Sequence, residues 1–361
     1  MKPVGQKHLP VMDKDGTTLR IDKDAVLVKE HFGLHHLEYS DTNPVLIPQG
    51  YTRDYLDGKI TLEMQREKVA RAYQNVMATS DVLLCEGTGH CAVGSIVDAS
   101  NAQVAAWLNA RMVLVVNGGI GKAMDELEMN KVFCDKYGVD VAGVIVNRVQ
   151  PDKYDQVKHY LGQALRQKWG VPLIGLVPDR PFLGCPAIAD MERLFEGSQL
   201  VSGKQFRMRH YTVQELQLVA TSLEVFLRNL RRDPDRTLYV SHASRNDILL
   251  GFLMESQQRG PQWEAAMIIT GCNDYPISRQ VMEIVKSMQP GAPPVLMVPK
   301  QTHQVMEAIH SYTPKLNSED ENRVAAAVGH YEQYIDFDLL LREDGDEATT
   351  TTTTSEATIA P

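Results

Sequence analysis

Between residues 81 and 178, short apolar runs alternate with longer stretches whose apolar positions recur every three or four residues. DVLLCE (81–86), MVLVVN (112–117), VDVAGVIVN (139–147) and PLIGLVP (172–178) have the length and near-continuous hydrophobicity of strands buried on both faces. The stretches between them, 100–109, 121–137 and 151–169, suit helices. This alternation predicts a parallel sheet with helices on both faces. It restarts after residue 236, with strands at 237–241, 265–271 and 294–299, helices at 245–258 and 276–289, and two closing helices at 302–310 and 318–335. The intervening 186–236 is less regular. It holds Gly197, Ser202 and Gly203, a helical stretch near 212–231, and Asp233-Pro234. Ahead of residue 81, the segment 45–58 is rich in turn residues, and 59–79 reads as a long amphipathic helix.

The pattern divides the chain into a first α/β domain over 1–186, a linker with a smaller α/β domain over 187–341, and a tail over 342–361. The tail is acidic and threonine-rich, and such a segment buries too little apolar surface to order itself. The composition, 43% hydrophobic and 23% charged residues, is ordinary for a soluble globular protein. There is no apolar run of about 18 residues and no apolar signal core at the N-terminus, so a cytoplasmic protein without a membrane partner is expected. The net charge of −9 disfavours a nucleic-acid partner. The basic cluster at Arg228–Arg236 reads as a helix C-terminus, where cations suit the dipole. Cys85, Cys91, Cys134, Cys185 and Cys272 form no CxxC pair, which fits free thiols and no zinc site.

In parallel α/β sheets, ligands bind beyond the carboxyl ends of the strands. The run at 81 ends in Glu86-Gly87-Thr88-Gly89. A carboxylate there can hold Mg²⁺, and the glycines let backbone N–H groups approach phosphate oxygens. The run at 139 ends in Asn147, whose amide offers both donor and acceptor to a base edge. GGIGKA (118–123) imitates a phosphate-binding loop but misses G-x-x-x-x-G-K-[ST] at both ends, having Val116 and Ala123 at the required positions. It reads as a tight strand-to-helix turn. Arg245, Asp247 and Thr270 stand at strand ends of the second half, with Asp247 expected to cap a helix; His303 and His310 read as surface residues.

In order and spacing, Lys2-Pro3-Val4, Glu86-Gly87-Thr88-Gly89 and Asn147 resemble the dethiobiotin synthetase-like family of P-loop proteins. Ser244-Arg245-Asn246-Asp247, Ile269-Thr270-Gly271-Cys272 and Pro294–Val298 before Gln301-Thr302 resemble the DRTGG domain, with Cys272 where that family usually has a second glycine. Together the halves look like the N-terminal, non-catalytic region of long phosphate acetyltransferases. The resemblance implies a P-loop NTPase-like parallel-sheet domain lacking its P-loop element, followed by a DRTGG domain. It implies nucleotide-binding roles for Lys2, Glu86, Gly87, Thr88, Gly89 and Asn147, with Glu86 also the metal ligand.

The family's P-loop strand and its Gly-Lys-Thr turn have no counterpart here. The loop lysine neutralises phosphates and the hydroxyl holds Mg²⁺, so ATP and Mg²⁺ are expected as cofactors only if that segment is restored. Two explanations stand: an N-terminal segment ahead of Met1, or a decayed site. The expected function is regulatory or ligand-sensing and non-catalytic, with an acetyltransferase or a second copy of the chain as partner. The alternatives are an ATP-dependent enzyme of dethiobiotin synthetase type, if a P-loop precedes Met1, and acetyl transfer by family association alone.

Overall fold

A computed structural model of the chain describes residues 1–260, 262–288 and 291–342; the tail expected to be disordered lies, beyond Arg342, outside the described residues. The chain divides into two compact units, residues 1–179 with the chain from Val328 onward, and residues 180–327.

The first unit contains β1 (Val4–Gly5), the hairpin β2 (His8–Met12) and β3 (Thr18–Asp22), α1 (Lys23–His31), α2 (Tyr39–Thr42), β4 (Val45–Leu46), α3 (Tyr51–Leu56) and α4 (Leu62–Met77). It continues through α5 (Asn101–Trp107), β5 (Met112–Asn117), α6 (Gly121–Lys136), β6 (Val141–Val149), α7 (Tyr154–Trp169) and β7 (Leu173–Pro178). Local chemistry starts the helices. Asp22 accepts the Asp24 N–H at the head of α1, Thr61 caps α4, and Ser100 with Gln103 forms a capping box on α5.

β5, β6 and β7 lie side by side in parallel, with Asn117 opposite Asn147. Leu114 and Val116 of β5 point into a core shared with Val144, Val146, Ala102 and Ala105 of α5, Leu127 of α6 and Leu161 of α7. β1 pairs with β4 in parallel. A second core joins Val4 and Val45 to Val69 of α4 and to Val104 and Leu108. α5 therefore feeds both cores from two sides of its circumference.

Residues 81–86 do not form the expected strand. The Glu86 N–H donates to Met1 O at 2.9 Å and the Met1 amino group to Leu84 O at 2.8 Å, a parallel bridge on one side. Among the described residues, the N–H groups of 81–85 meet no backbone acceptor. Val82 and Leu84 are 55% and 66% exposed, and so is Val115, at 60%, on β5, itself an outer strand of its sheet. The run is apolar enough for a central position, but a ladder requires partners on both sides.

The second unit holds α8 (Ile188–Leu194), β8 (Gln199–Ser202), β9 (Gln217–Leu218), α9 (Leu223–Leu230), β10 (Leu238–His242), α10 (Asn246–Arg259), β11 (Ala266–Thr270), α11 (Arg279–Ser287), β12 (Val295–Met297) and α12 (Thr302–Ser311). Its sheet runs β8-β12-β11-β10-β9, parallel except for β8. Tyr239, Met267 and Ile269 pack on Phe226, Phe252 and Val281 from one face; Val240, Ile268 and Leu296 pack on Ile188, Val305 and Ile309 from the other. The helix expected near 212–231 is shorter because Ser222 caps it, its hydroxyl accepting the Val225 N–H. α13 (Glu321–Tyr331) replaces the front of the last expected helix, and α14 (Phe337–Leu341) follows. Between them Ile335 bridges Gly175, and the Asp336 N–H donates to Ile174 O at 2.9 Å.

Candidate functional site

Lys2 and Glu86 are 84 residues apart in sequence and meet in space. The Lys2 ammonium donates to Glu86 Oε1 at 3.0 Å, to Asp24 Oδ2 at 3.3 Å and to Gly87 O at 3.1 Å. Its side chain is 5% exposed, whereas Glu86 is 58% exposed. Burial works against this charge, but the Glu86 hydrogen bond and the fields of Glu86 and Asp24 hold the ammonium above its ordinary value. Asp24 also accepts from Lys23 at 2.7 Å. Burial opposes its ionisation, and the two lysines hold the carboxyl below its ordinary value all the same.

The loop after Glu86 is anchored by side chains that the sequence reading did not single out. Asn101, at the first position of α5, accepts the Thr88 N–H at 3.1 Å and donates to Thr88 O at 3.0 Å and to His90 O at 2.9 Å. Gly87 is required there, since a Cβ on it would lie 2.8 Å from Asn101 Cγ. Asn130 of α6 accepts the Cys91 N–H at 2.9 Å. The Thr88 hydroxyl donates to Val4 O at 3.0 Å. Lys2, Glu86, Gly87 and Thr88 thus converge at one end of β1, and Gly89 turns the chain just beyond with φ of 66°. An asparagine at a helix start reads as a capping residue; only the folded chain reveals it as the clamp of this loop. Asp24 lies in a stretch for which the sequence pattern predicted no element.

The donor set suits magnesium in part. Glu86 supplies one accessible carboxylate and Thr88 a hydroxyl oxygen, while Mg²⁺ draws most of its octahedron from water and phosphate. No group of three or more His, Cys, Asp or Glu side chains suited to a metal occurs among the described residues.

Asn147 stands at the end of β6, where its Oδ1 accepts from the Tyr331 hydroxyl at 2.9 Å and from the Arg148 N–H at 2.9 Å. Residues 118–120 form a tight turn from β5 into α6, with the Gly118 N–H donating to Asn147 O at 2.6 Å. A Cβ on Gly118 would lie 2.8 Å from Val149 Cα, which accounts for that glycine without a phosphate. In the second unit, Asp247 does not cap α10. It lies inside the helix and takes two hydrogen bonds from Arg245, at 3.0 and 2.8 Å. Thr270 Oγ1 meets Thr302 Oγ1 at 2.7 Å. His303 and His310 are exposed.

A family model described as an AAA domain matches residues 1–187, and one described as a DRTGG domain matches residues 195–312. The phosphate acetyltransferase of Synechocystis sp. is 22% identical over 330 residues, covering 89% of this chain and 44% of its own length. That of Pseudomonas aeruginosa is 22% identical over 292 residues, covering 77% of this chain and 40% of its own. The ATP-dependent dethiobiotin synthetase BioD of Xanthomonas euvesicatoria pv. vesicatoria is 23% identical over 185 residues, covering 50% of this chain and 77% of its own. The chain spans less than half the length of these acetyltransferases. Among the described residues, no helix is long and apolar enough to cross a membrane.

Proposed function

The chain belongs to the AAA domain family over residues 1–187 and carries a DRTGG domain over 195–312, and on that basis we propose that it is a non-catalytic regulatory module that senses a nucleotide. The ligand sits at the strand-end site formed by Lys2, Glu86 and the Gly87-Thr88-Gly89 turn, and its binding biases an acetyltransferase or a second copy of the chain. The relation to the N-terminal region of phosphate acetyltransferases supports the regulatory role.

One observation carries the non-catalytic part. The Lys2 ammonium is engaged by two carboxylates and a carbonyl at 3.0–3.3 Å. Phosphoryl transfer needs cations aimed at the charge spread over the transferring group, and this cation is already neutralised. Backbone donors and an accessible turn remain, which is a binding arrangement and not a transfer machine.

The test is a calorimetric titration of the full chain with ATP, with and without Mg²⁺, beside a phosphate-release assay. Metal-independent nucleotide binding without phosphate release is the expected result. Tight Mg²⁺-dependent binding accompanied by turnover that Glu86→Gln abolishes overturns the proposal. That outcome favours a second reading, an ATP-dependent enzyme of dethiobiotin synthetase type. The observation on its side is that, among the described residues, the N–H groups of 81–85 meet no backbone acceptor and β5 is an outer strand, with Val82, Leu84 and Val115 exposed, so both have backbone groups available to a further strand. Acetyl transfer, the activity in the relatives' name, rests on kinship alone.

A further inference from the structure

Two thiols outside the nucleotide site stand face to face. Cys91 Sγ and Cys134 Sγ are 3.6 Å apart, both buried in the core beneath β5 and β6. Their placement is held from several sides. Asn130, one helical turn before Cys134 on α6, accepts the Cys91 N–H at 2.9 Å, and Cys91 O accepts the Ala102 N–H from α5 at 3.2 Å. Cys91 is in irregular chain, where small backbone and χ1 adjustments are available, while Cys134 is fixed on a helix. Joining them requires the sulfurs to approach by roughly 1.5 Å, to the ~2.05 Å of a disulfide.

We propose that Cys91 and Cys134 form a reversible disulfide that fastens the loop following Glu86 to α6, so that the loop's freedom depends on thiol oxidation. The oxidant is a low-molecular-weight disulfide such as oxidised glutathione. The Cys91 thiolate attacks one sulfur of that disulfide, breaking its S–S bond and releasing one glutathione. The Cys134 thiolate then attacks the Cys91 sulfur of the mixed disulfide, forms the internal bond and expels the second glutathione. Two protein thiols are oxidised, one glutathione disulfide is reduced, and the two thiol protons end on the two glutathiones. Cys91 suits the first role: the hydrogen bond from Cys134 holds its thiol below the ordinary value, while the same contact and burial push Cys134 up. Cys91 also lies in irregular chain and Cys134 inside a helix, so local opening of the loop exposes Cys91 before Cys134.

The inference does not depend on nucleotide binding, and its test reads chemistry directly. The full chain carrying Cys85→Ser, which removes the exposed thiol, is equilibrated in glutathione buffers of increasing oxidation, alkylated and mapped by peptide mass without reduction. The expected product is a linked Cys91–Cys134 peptide lighter by two hydrogen atoms than the separate peptides. It should come with hydrogen exchange of residues 87–95 slowed about tenfold, and both effects should reverse with a dithiol reductant. Cys134→Ser should give only a Cys91–glutathione adduct, without the slowed exchange. Free, alkylatable Cys91 and Cys134 in the most oxidising buffer overturn the proposal. So does a cross-link that appears only in chains that have lost their cooperative melting.

Discussion

Replacing Lys2 by Met tests the geometry of the strand-end site most directly. Met keeps most of the aliphatic stem and removes the ammonium. Stripping a fully buried charge of its partner costs about 3–5 kcal/mol, but the groups stranded here are partly wet: Glu86 is 58% exposed and Asp24 28%. Asp24 also keeps Lys23 at 2.7 Å. What is lost outright is the donor to Gly87 O, worth about 1 kcal/mol, and the less exposed part of the two ion pairs. The sum is about 2 kcal/mol. Glu86→Gln should cost only about 0.5 kcal/mol, because the amide oxygen still accepts from Lys2 and an exposed pair contributes little. The assay is urea unfolding of the full chain, read by hydrogen exchange of peptides from α5 and β5. The asymmetry between the two variants is the prediction. Equal losses, or a Lys2→Met loss within about 0.5 kcal/mol of zero, would refute the account of Lys2 as the buried centre of the site.

The remaining predictions concern the second unit. Arg323 is fully buried and donates to Asp190 Oδ2 at 2.7 Å and to Cys185 O at 3.1 Å; its Nε approaches Asp320 Oδ2 at 3.0 Å as an ion pair without hydrogen-bond alignment. Arg323→Met should destabilise this unit by about 3–5 kcal/mol, since Asp320 loses its guanidinium and Asp190 keeps only that of Arg193 at 3.0 Å, both carboxylates being 2% exposed; a lowered urea midpoint for peptides of β10 and β11 is the readout, and a loss below about 1 kcal/mol refutes it. Acid should act through the same groups. Burial opposes the ionisation of Asp190 and Asp320, yet Ala187 N–H and Arg323 at the first and His210 at the second hold both carboxyls below their ordinary value of 3.8. Their stabilisation is therefore complete above that value and is lost as pH falls through the depressed native values. The urea midpoint of the unit should drop steeply below pH 3.8 and flatten in Arg323→Met; equal acid dependence in both proteins would contradict the network.

From the sequence alone the alternation of helices and strands over 100–178 and 237–310 was legible. Runs such as MVLVVN and the helices between them carry their period in the residues, and the structure places them within a few positions of where the period ends. Capping was less legible: Asp247, expected to cap, lies inside α10, and the cap of α5 at Ser100 emerged only in the folded chain. The elements around 186–218 were not legible because β8 and β9 are short, at four and two residues, and exist through pairing with β12 and β10. The same dependence runs the other way at 81–86, where an ideal strand composition yields no ladder for want of neighbours. At the site, the sequence could name Lys2, Glu86 and Thr88 but not what they do to one another. Tertiary structure alone brought Asp24 to Lys2, Asn101 beneath the loop and Cys91 against Cys134. Propensity is a property of consecutive residues, whereas hydrogen bonds, ion pairs and thiol contacts depend on distances that only chain closure sets.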